Sequence, residues 1–359
     1  MFADKITSIS PSTRYQGSKR RILPWIYENI KHLEFDTVLD GFGGTASVSY
    51  LFKLMGKRVT FNDVLLSNYQ TAVALIENNR ITLDKGDISY LLHKNGFDYP
   101  DFIHETFKDI YYTDNENKWL DIVIHNTYML SEKYGGNILR KKQALSFHAL
   151  FQACLSKRPY NLFHRKNLYM RLANTQRSFG NKKTWDTPFS ELFIKFCDEL
   201  SNKIISNKRR NIAKCENILE MNKKRYDLVY LDPPYIRSNQ PAPIDYYSLY
   251  HFLEGIMDYC NWKGKIDHTK KNKPLINKNN SFWDKTSVEN NFDRIFNKFK
   301  DSVIVFSYGE PGCPSIKTIK DLLYQYKKKV EVRRKEYNYK LNHSRKNGDR
   351  LYEVLIIAQ

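Results

Sequence analysis

One stretch constrains this chain more than any other: Tyr226-Asp227-Leu228-Val229-Tyr230-Leu231 runs straight into Asp232-Pro233-Pro234-Tyr235. The approach is rich in aliphatic, β-branched and aromatic side chains, the composition of a buried strand. Proline cannot donate to a central ladder, so the sheet has to stop at Asp232, and its carboxylate projects past the sheet edge. Two consecutive prolines fix φ and remove two N–H groups, which leaves a stiff turn with outward-facing carbonyls. Tyr235 adds a flat face beside those acceptors. Asp232, Pro233, Pro234 and Tyr235 thus suit a planar heterocycle with an exocyclic amine; the plainer reading is a turn that only ends a strand.

A second motif lies far upstream. Thr37-Val38-Leu39-Asp40 reads as a short strand, followed by Gly41-Phe42-Gly43-Gly44-Thr45-Ala46-Ser47 and an apolar-periodic run over 48–55. Strand, glycine turn and helix open a Rossmann-like unit, in which glycines admit a cofactor close to the backbone. The spacing is not the dinucleotide G-x-G-x-x-G. A second strand, Arg58-Val59-Thr60-Phe61, ends in Asn62-Asp63. An acid there typically accepts from ribose hydroxyls, and a helix N-cap is the competing reading. The two strand ends point to a nucleoside-bearing cofactor without a diphosphate, a description S-adenosylmethionine fits. A third motif, Arg14-Tyr15-Gln16-Gly17-Ser18-Lys19, precedes an amphipathic helix with Ile22, Trp25, Ile26 and Ile30 at helical spacing. Ser18 is placed to cap it. Lys19 would then stand in the first turn against the helix dipole, which suggests a carboxylate or backbone partner; a solvated lysine is the alternative.

The order of these motifs resembles the DNA adenine-N6 methyltransferases typified by the bacterial Dam enzymes, the D12 or alpha group. The family's tyrosine/tryptophan-glycine-lysine motif corresponds to residues 15–19, its cofactor loop to Phe42-Gly43-Gly44, and its Asn-Asp strand end to Asn62-Asp63. A long insert and Asp-Pro-Pro-Tyr follow. Asn161-Leu162-Phe163-His164-Arg165-Lys166-Asn167 is similar to the family's short basic motif, with His164 where glycine or an aliphatic residue is commoner. The resemblance implies an α/β fold: a Rossmann-like S-adenosylmethionine-dependent methyltransferase sheet with an inserted, mostly helical target-recognition domain. It assigns 1–83 and 211–359 to the catalytic domain and 84–210 to the insert. It places Tyr15, Lys19, Asp40, Phe42, Gly43, Gly44, Asp63 and Asp232 around the cofactor. Asn217, at the end of a strand expected over 212–219, is a further candidate for the cofactor adenine. Catalysis falls to Asp232 through Tyr235.

Charge agrees with a nucleic-acid substrate. Against 39 acidic residues stand 58 Lys and Arg, a net +19, which supplies attraction to phosphate. Many of the basic runs lie in the insert, interleaved with Tyr160, Phe163, Tyr169, Phe179 and Trp185. Arg140, Lys141, Lys142, Lys157, Arg158, Arg165, Lys166 and Arg177 are the candidate DNA contacts. The expected partner is double-stranded DNA, with the family's habit adding a cognate restriction endonuclease and monomeric action. Five scattered cysteines form no C-x-x-C pair, so no metal site is expected. With no signal peptide in evidence, reduced thiols point to the cytoplasm. The Lys- and Asn-rich segment 261–280 reads as an exposed loop. Three alternatives stay open: a cytosine-N4 methyltransferase, which typically carries Ser in place of Asp232, an RNA or protein-glutamine methyltransferase, which more often carries Asn there, and a catalytically inactive basic DNA-binding protein with a methyltransferase-like core.

Overall fold

The computed structural model describes residues 2–175, 182–234, 236, 243–276, 283–336 and 351–359. Seven strands, β1 (Thr37–Asp40), β2 (Arg58–Asp63), β3 (Ile212–Cys215), β4 (Leu228–Leu231), β5 (Val303–Glu310), β6 (Val330–Glu336) and β7 (Tyr352–Ala358), form one sheet in the order β3-β2-β1-β4-β5-β7-β6. Strands β3 to β5 in that order pair parallel, and β7 runs antiparallel to both β5 and β6. The order reverses between β1 and β4, so their carboxyl ends flank the crevice where an open α/β sheet takes its ligand.

Strand alternation assigns the two faces. Leu228 and Tyr230 of β4 join one apolar cluster with Val38, Val59, Val305 and Leu355. Val229 and Leu231 join the other, with Leu39, Ile304, Phe306 and Ile356. The first face is covered by helices Leu23–Ile30 and Ser47–Leu54, the second by Val288–Lys298 and Ile316–Tyr324. Successive residues go to opposite faces, and both are dry, so these strands read as unbroken apolar runs.

The insert is helical, as its periodicity predicts. Asp114–Met129 starts at a capping box in which Thr113 and Glu116 each accept from the other's backbone N–H. Gly136–Ser156 is buried from Lys141 onward except at Gln143. The buried apolar side chains of both helices belong to the same cluster as the first face of the sheet.

Two features depart from expectation. The described part of the segment 261–280 is largely exposed, as expected, but Trp262 within it is fully buried among Phe102, Phe107 and Phe252. A Cβ on Gly255 would lie 1.9 Å from its indole. One large aromatic outweighs the surrounding lysines because burial scales with apolar area. The helix Val288–Lys298 was not foreseen, although Val288, Phe292, Ile295, Phe296 and Phe299 carry its period and are all buried. The Asn347-Gly348-Asp349 turn expected between β6 and β7 lies outside the described residues.

Candidate active site

Asp40 ends β1 in register with Tyr230 of β4, and Gly41 N–H donates to the Tyr230 carbonyl at 2.9 Å. The loop that follows is pressed against its neighbours. A Cβ on Gly41 would meet Ile218 at 2.5 Å, and one on Gly43 would sit 2.1 Å from the Phe61 ring. Gly44 turns at φ +50°, a conformation glycine adopts without strain. Its N–H donates to Asp63 at 2.8 Å, and the other Asp63 oxygen accepts from Leu65 N–H at 2.9 Å. The acid ending β2 therefore ties the glycine loop to the turn after β2, and burial raises its pKa. Phe42 packs edge-on against Trp283.

Asp40 is enclosed. Ser49 donates to one oxygen at 2.7 Å, and the second oxygen is buried with no hydrogen-bond partner among the described residues. Burial pushes its carboxyl up to about 7, with the negative Asp232 and Asp63 adding to the effect.

Lys19 has the carboxylate its position called for. Ser18 caps the turn Lys19–Ile22, accepting from Arg20 N–H at 3.4 Å. The Lys19 Nζ lies 2.9 Å from Asp232 Oδ1 and 3.7 Å from Glu353 Oε2. Pro233 and Pro234 follow Asp232 directly; Tyr235 lies outside the described residues.

Tyr15 lies against a stripe that sequence reasoning missed. Its ring stacks on Tyr250 at 4.1 Å and on Tyr246 at 5.4 Å, each within 10° of parallel. The Tyr250 hydroxyl accepts from Gln16 N–H at 2.8 Å. One turn further, the buried Glu254 carboxylate accepts from Leu66 N–H and Ser67 N–H, both at 2.9 Å, and from the Ser67 hydroxyl at 2.6 Å. Tyr246, Tyr250 and Glu254 recur every fourth residue, a helical face that the sequence displays. It binds the segment after Asp-Pro-Pro-Tyr to both Tyr15 and the turn after Asp63.

Asn217 stands differently from expectation. Strand β3 stops at Cys215, and the Asn217 carbonyl accepts from Glu220 N–H and Met221 N–H at 2.9 and 3.0 Å. Its side-chain oxygen accepts from Leu219 N–H at 3.1 Å, so the residue shapes its own turn.

The expected surface position of several basic residues is also corrected. Lys141 pairs with Glu77 at 2.7 Å, Lys142 with Asp87, and Lys157 with Glu116 at 2.7 Å. Arg158 is 1 % exposed and donates to the Leu162 and Arg165 carbonyls, each at 3.1 Å, and to Asn167. All four are inside: Lys141 and Lys142 lie on a helix packed on both sides and Lys157 and Arg158 directly follow it, and buried charges there need partners. Arg140 keeps partial exposure while paired to Glu77 and Tyr69. Arg165 and Lys166 are exposed. Arg177 lies outside the described residues. Among the described residues no group of His, Cys, Asp and Glu could hold a metal ion.

A parallel sheet whose strand order reverses between β1 and β4, with acids at both carboxyl ends and a glycine loop beside them, is the arrangement expected of a methyl-transferring enzyme. The D12 class N6 adenine-specific DNA methyltransferase family model matches residues 15–311, and the chain belongs to that family. It is an adenine-specific DNA methyltransferase. It is 26% identical to the Type II methyltransferase M2.HphI of Haemophilus parahaemolyticus, over 97% of this chain and 98% of that protein. Among solved structures, the rRNA methyltransferase aviRa from Streptomyces viridochromogenes aligns with 99% of this chain and 93% of its own at 9% identity, with a TM-score of 0.31.

Proposed function

We propose that the enzyme methylates N6 of an adenine extruded from duplex DNA at a specific site, using S-adenosylmethionine, as the modification partner of a restriction endonuclease. The observation that carries the reading is Asp232, an acid at the carboxyl end of β4 with a rigid Pro-Pro turn after it and Asp40 ending the strand beside it.

The acids and Lys19 fit that donor. The unpartnered oxygen of Asp40 suits an ammonium, Asp63 suits ribose hydroxyls, and the Lys19 cation suits a carboxylate. Phe42, Gly43 and Gly44 line the same edge. When bound, the donor supplies a methyl group on a sulfonium, a leaving group that departs as a neutral thioether.

The protein's own work is at the amine. The N6 lone pair of adenine is delocalised into the ring. Asp232 and the Pro233 carbonyl accept the N6–H bonds and draw the nitrogen toward tetrahedral geometry, which frees the lone pair to attack. The proton then leaves toward Asp232 and solvent. Fixed acceptors and alignment account for the acceleration without a covalent enzyme intermediate. Since N6 lies inside a duplex, the base has to swing out, and Tyr235 is the residue assigned to stack on it. Arg140, Arg165, Lys166 and Arg177 are assigned to DNA, with monomeric action.

Incubation of duplex DNA with enzyme and methyl-labelled donor, followed by nucleoside digestion, tests the reading. Labelled N6-methyladenine is expected. Label in N4-methylcytosine would replace it by the cytosine-N4 reading, and donor and DNA binding without transfer by the inactive DNA-binding one.

A further inference from the structure

The carboxylate of Glu353 has no place in the reaction as derived so far, yet it reaches into the same site. Strand β7 reads Tyr352-Glu353-Val354-Leu355-Ile356-Ile357-Ala358, and Glu353 is its one charged residue. Its side chain is 6 % exposed, comparable with Lys19 at 7 %. An ionised carboxylate in an apolar strand is strongly unfavourable unless a cation answers it. The Lys19 ammonium lies 3.7 Å away, and the same ammonium lies 2.9 Å from Asp232. Glu353 pairs in register with Gly309 of β5, and β5 pairs with β4, whose end carries Asp232. The sheet therefore fixes the separation of the two acids, and Lys19 bridges them from the N-terminal motif.

This matters because Asp232 has competing duties. To polarise an amine its oxygens have to accept N6–H bonds, while a cation within hydrogen-bonding distance draws on the same lone pairs. We infer that Glu353 is a positioning residue for methyl transfer: it shares Lys19 with Asp232 and retains the ammonium when Asp232 turns to the substrate amine. The inference rests on the assignment of Asp232 as the N6 acceptor. Lys19 remains beside the site as a counter-charge, and Asp232 remains an available acceptor. Without Glu353, one of the two carboxylates that hold the Lys19 ammonium at this edge is gone.

The test is single-turnover methylation by Glu353→Gln, which keeps the shape and removes the charge, with donor and DNA affinities measured separately. The expected result is a drop in the transfer rate of about tenfold or more, with both dissociation constants within threefold of wild type. The more conservative Glu353→Asp is expected to recover part of the rate. In a Lys19→Ala background the same substitution should have no further effect, because Glu353 acts through that ammonium. A transfer rate within twofold of wild type overturns the inference, as does an equal loss in the Lys19→Ala background or a fall in affinity that accounts for the whole loss. Should Glu353→Gln fail to fold, the same measurements on Glu353→Asp decide, an unchanged rate counting against the role. Asp232→Asn is run alongside. Near-normal turnover there removes the Asp232 assignment itself, whereas its loss together with an unaffected Glu353→Gln removes only the part given to Glu353.

Discussion

Asp40 is the residue whose protonation is most exposed to experiment. Its folded carboxyl ionises at about 7 because it is buried, whereas an unfolded aspartate ionises near ~3.9. The folded protein thus holds this proton more tightly than the unfolded chain, and the Asp40 contribution to stability declines as pH rises through that window. Donor binding should move the other way, since an ammonium is best answered by the ionised form. Calorimetric titration with S-adenosylmethionine is expected to show affinity rising between pH 6 and 8, and Asp40→Asn to flatten that rise. A profile identical in the variant would detach the residue from the donor. Asp232→Ala should leave donor and DNA affinity within an order of magnitude while turnover falls on the order of a thousandfold, as when a fixed transition-state partner is removed; rapid-quench assays read this directly. The sequence displayed both acids because each ends an apolar strand at a turn. It did not display Glu353, which looks like any strand residue until the sheet brings β7 beside the site.

At the scale of elements, the insert separates into basic residues that hold it together and basic residues it presents. Glu116 receives both Lys157 and Arg171 at 2.7 Å. Glu116→Ala strands two buried cations, and a loss of about 3–5 kcal/mol in chemical unfolding is expected. Arg165 lies in a loop that Arg158 holds from beneath through the Arg165 carbonyl. Arg165→Ala should spare stability, reduce the salt slope of DNA binding by about one, and relax site choice if the side chain reads a base; binding measured across a salt series and mapping of methylated sites distinguish these effects. The helices of the insert were legible from their period. Which of their lysines face inward was not, because both faces of Gly136–Ser156 pack and composition alone cannot tell a buried pair from a phosphate contact. The stripe of Tyr246, Tyr250 and Glu254 was spaced for recognition, but only the fold reveals that its partners are Tyr15 and Ser67, remote in sequence.

For the whole molecule, a net charge of +19 predicts DNA affinity that falls steeply with salt whatever the sequence offered. A shallow dependence in a filter-binding series would mean that the charge serves another surface. Among the described residues no helix is long and apolar enough to cross a membrane. The existence of one sheet was accessible because apolar runs end at acids after β1, β2 and β4; the order of its strands was not. The unity of the core was not, since nothing in a sequence states which apolar faces share one interior.

That shared interior bears on how such an enzyme can change the site it modifies. The helices Asp114–Met129 and Gly136–Ser156 and the first sheet face are packed into a single apolar mass, so exchanging the whole insert with that of a relative would disrupt the packing of the sheet. If Arg165 and Lys166 contact DNA as proposed, new target sequences are better acquired piecemeal at such solvent-facing positions, where the chain can vary without disturbing what lies beneath.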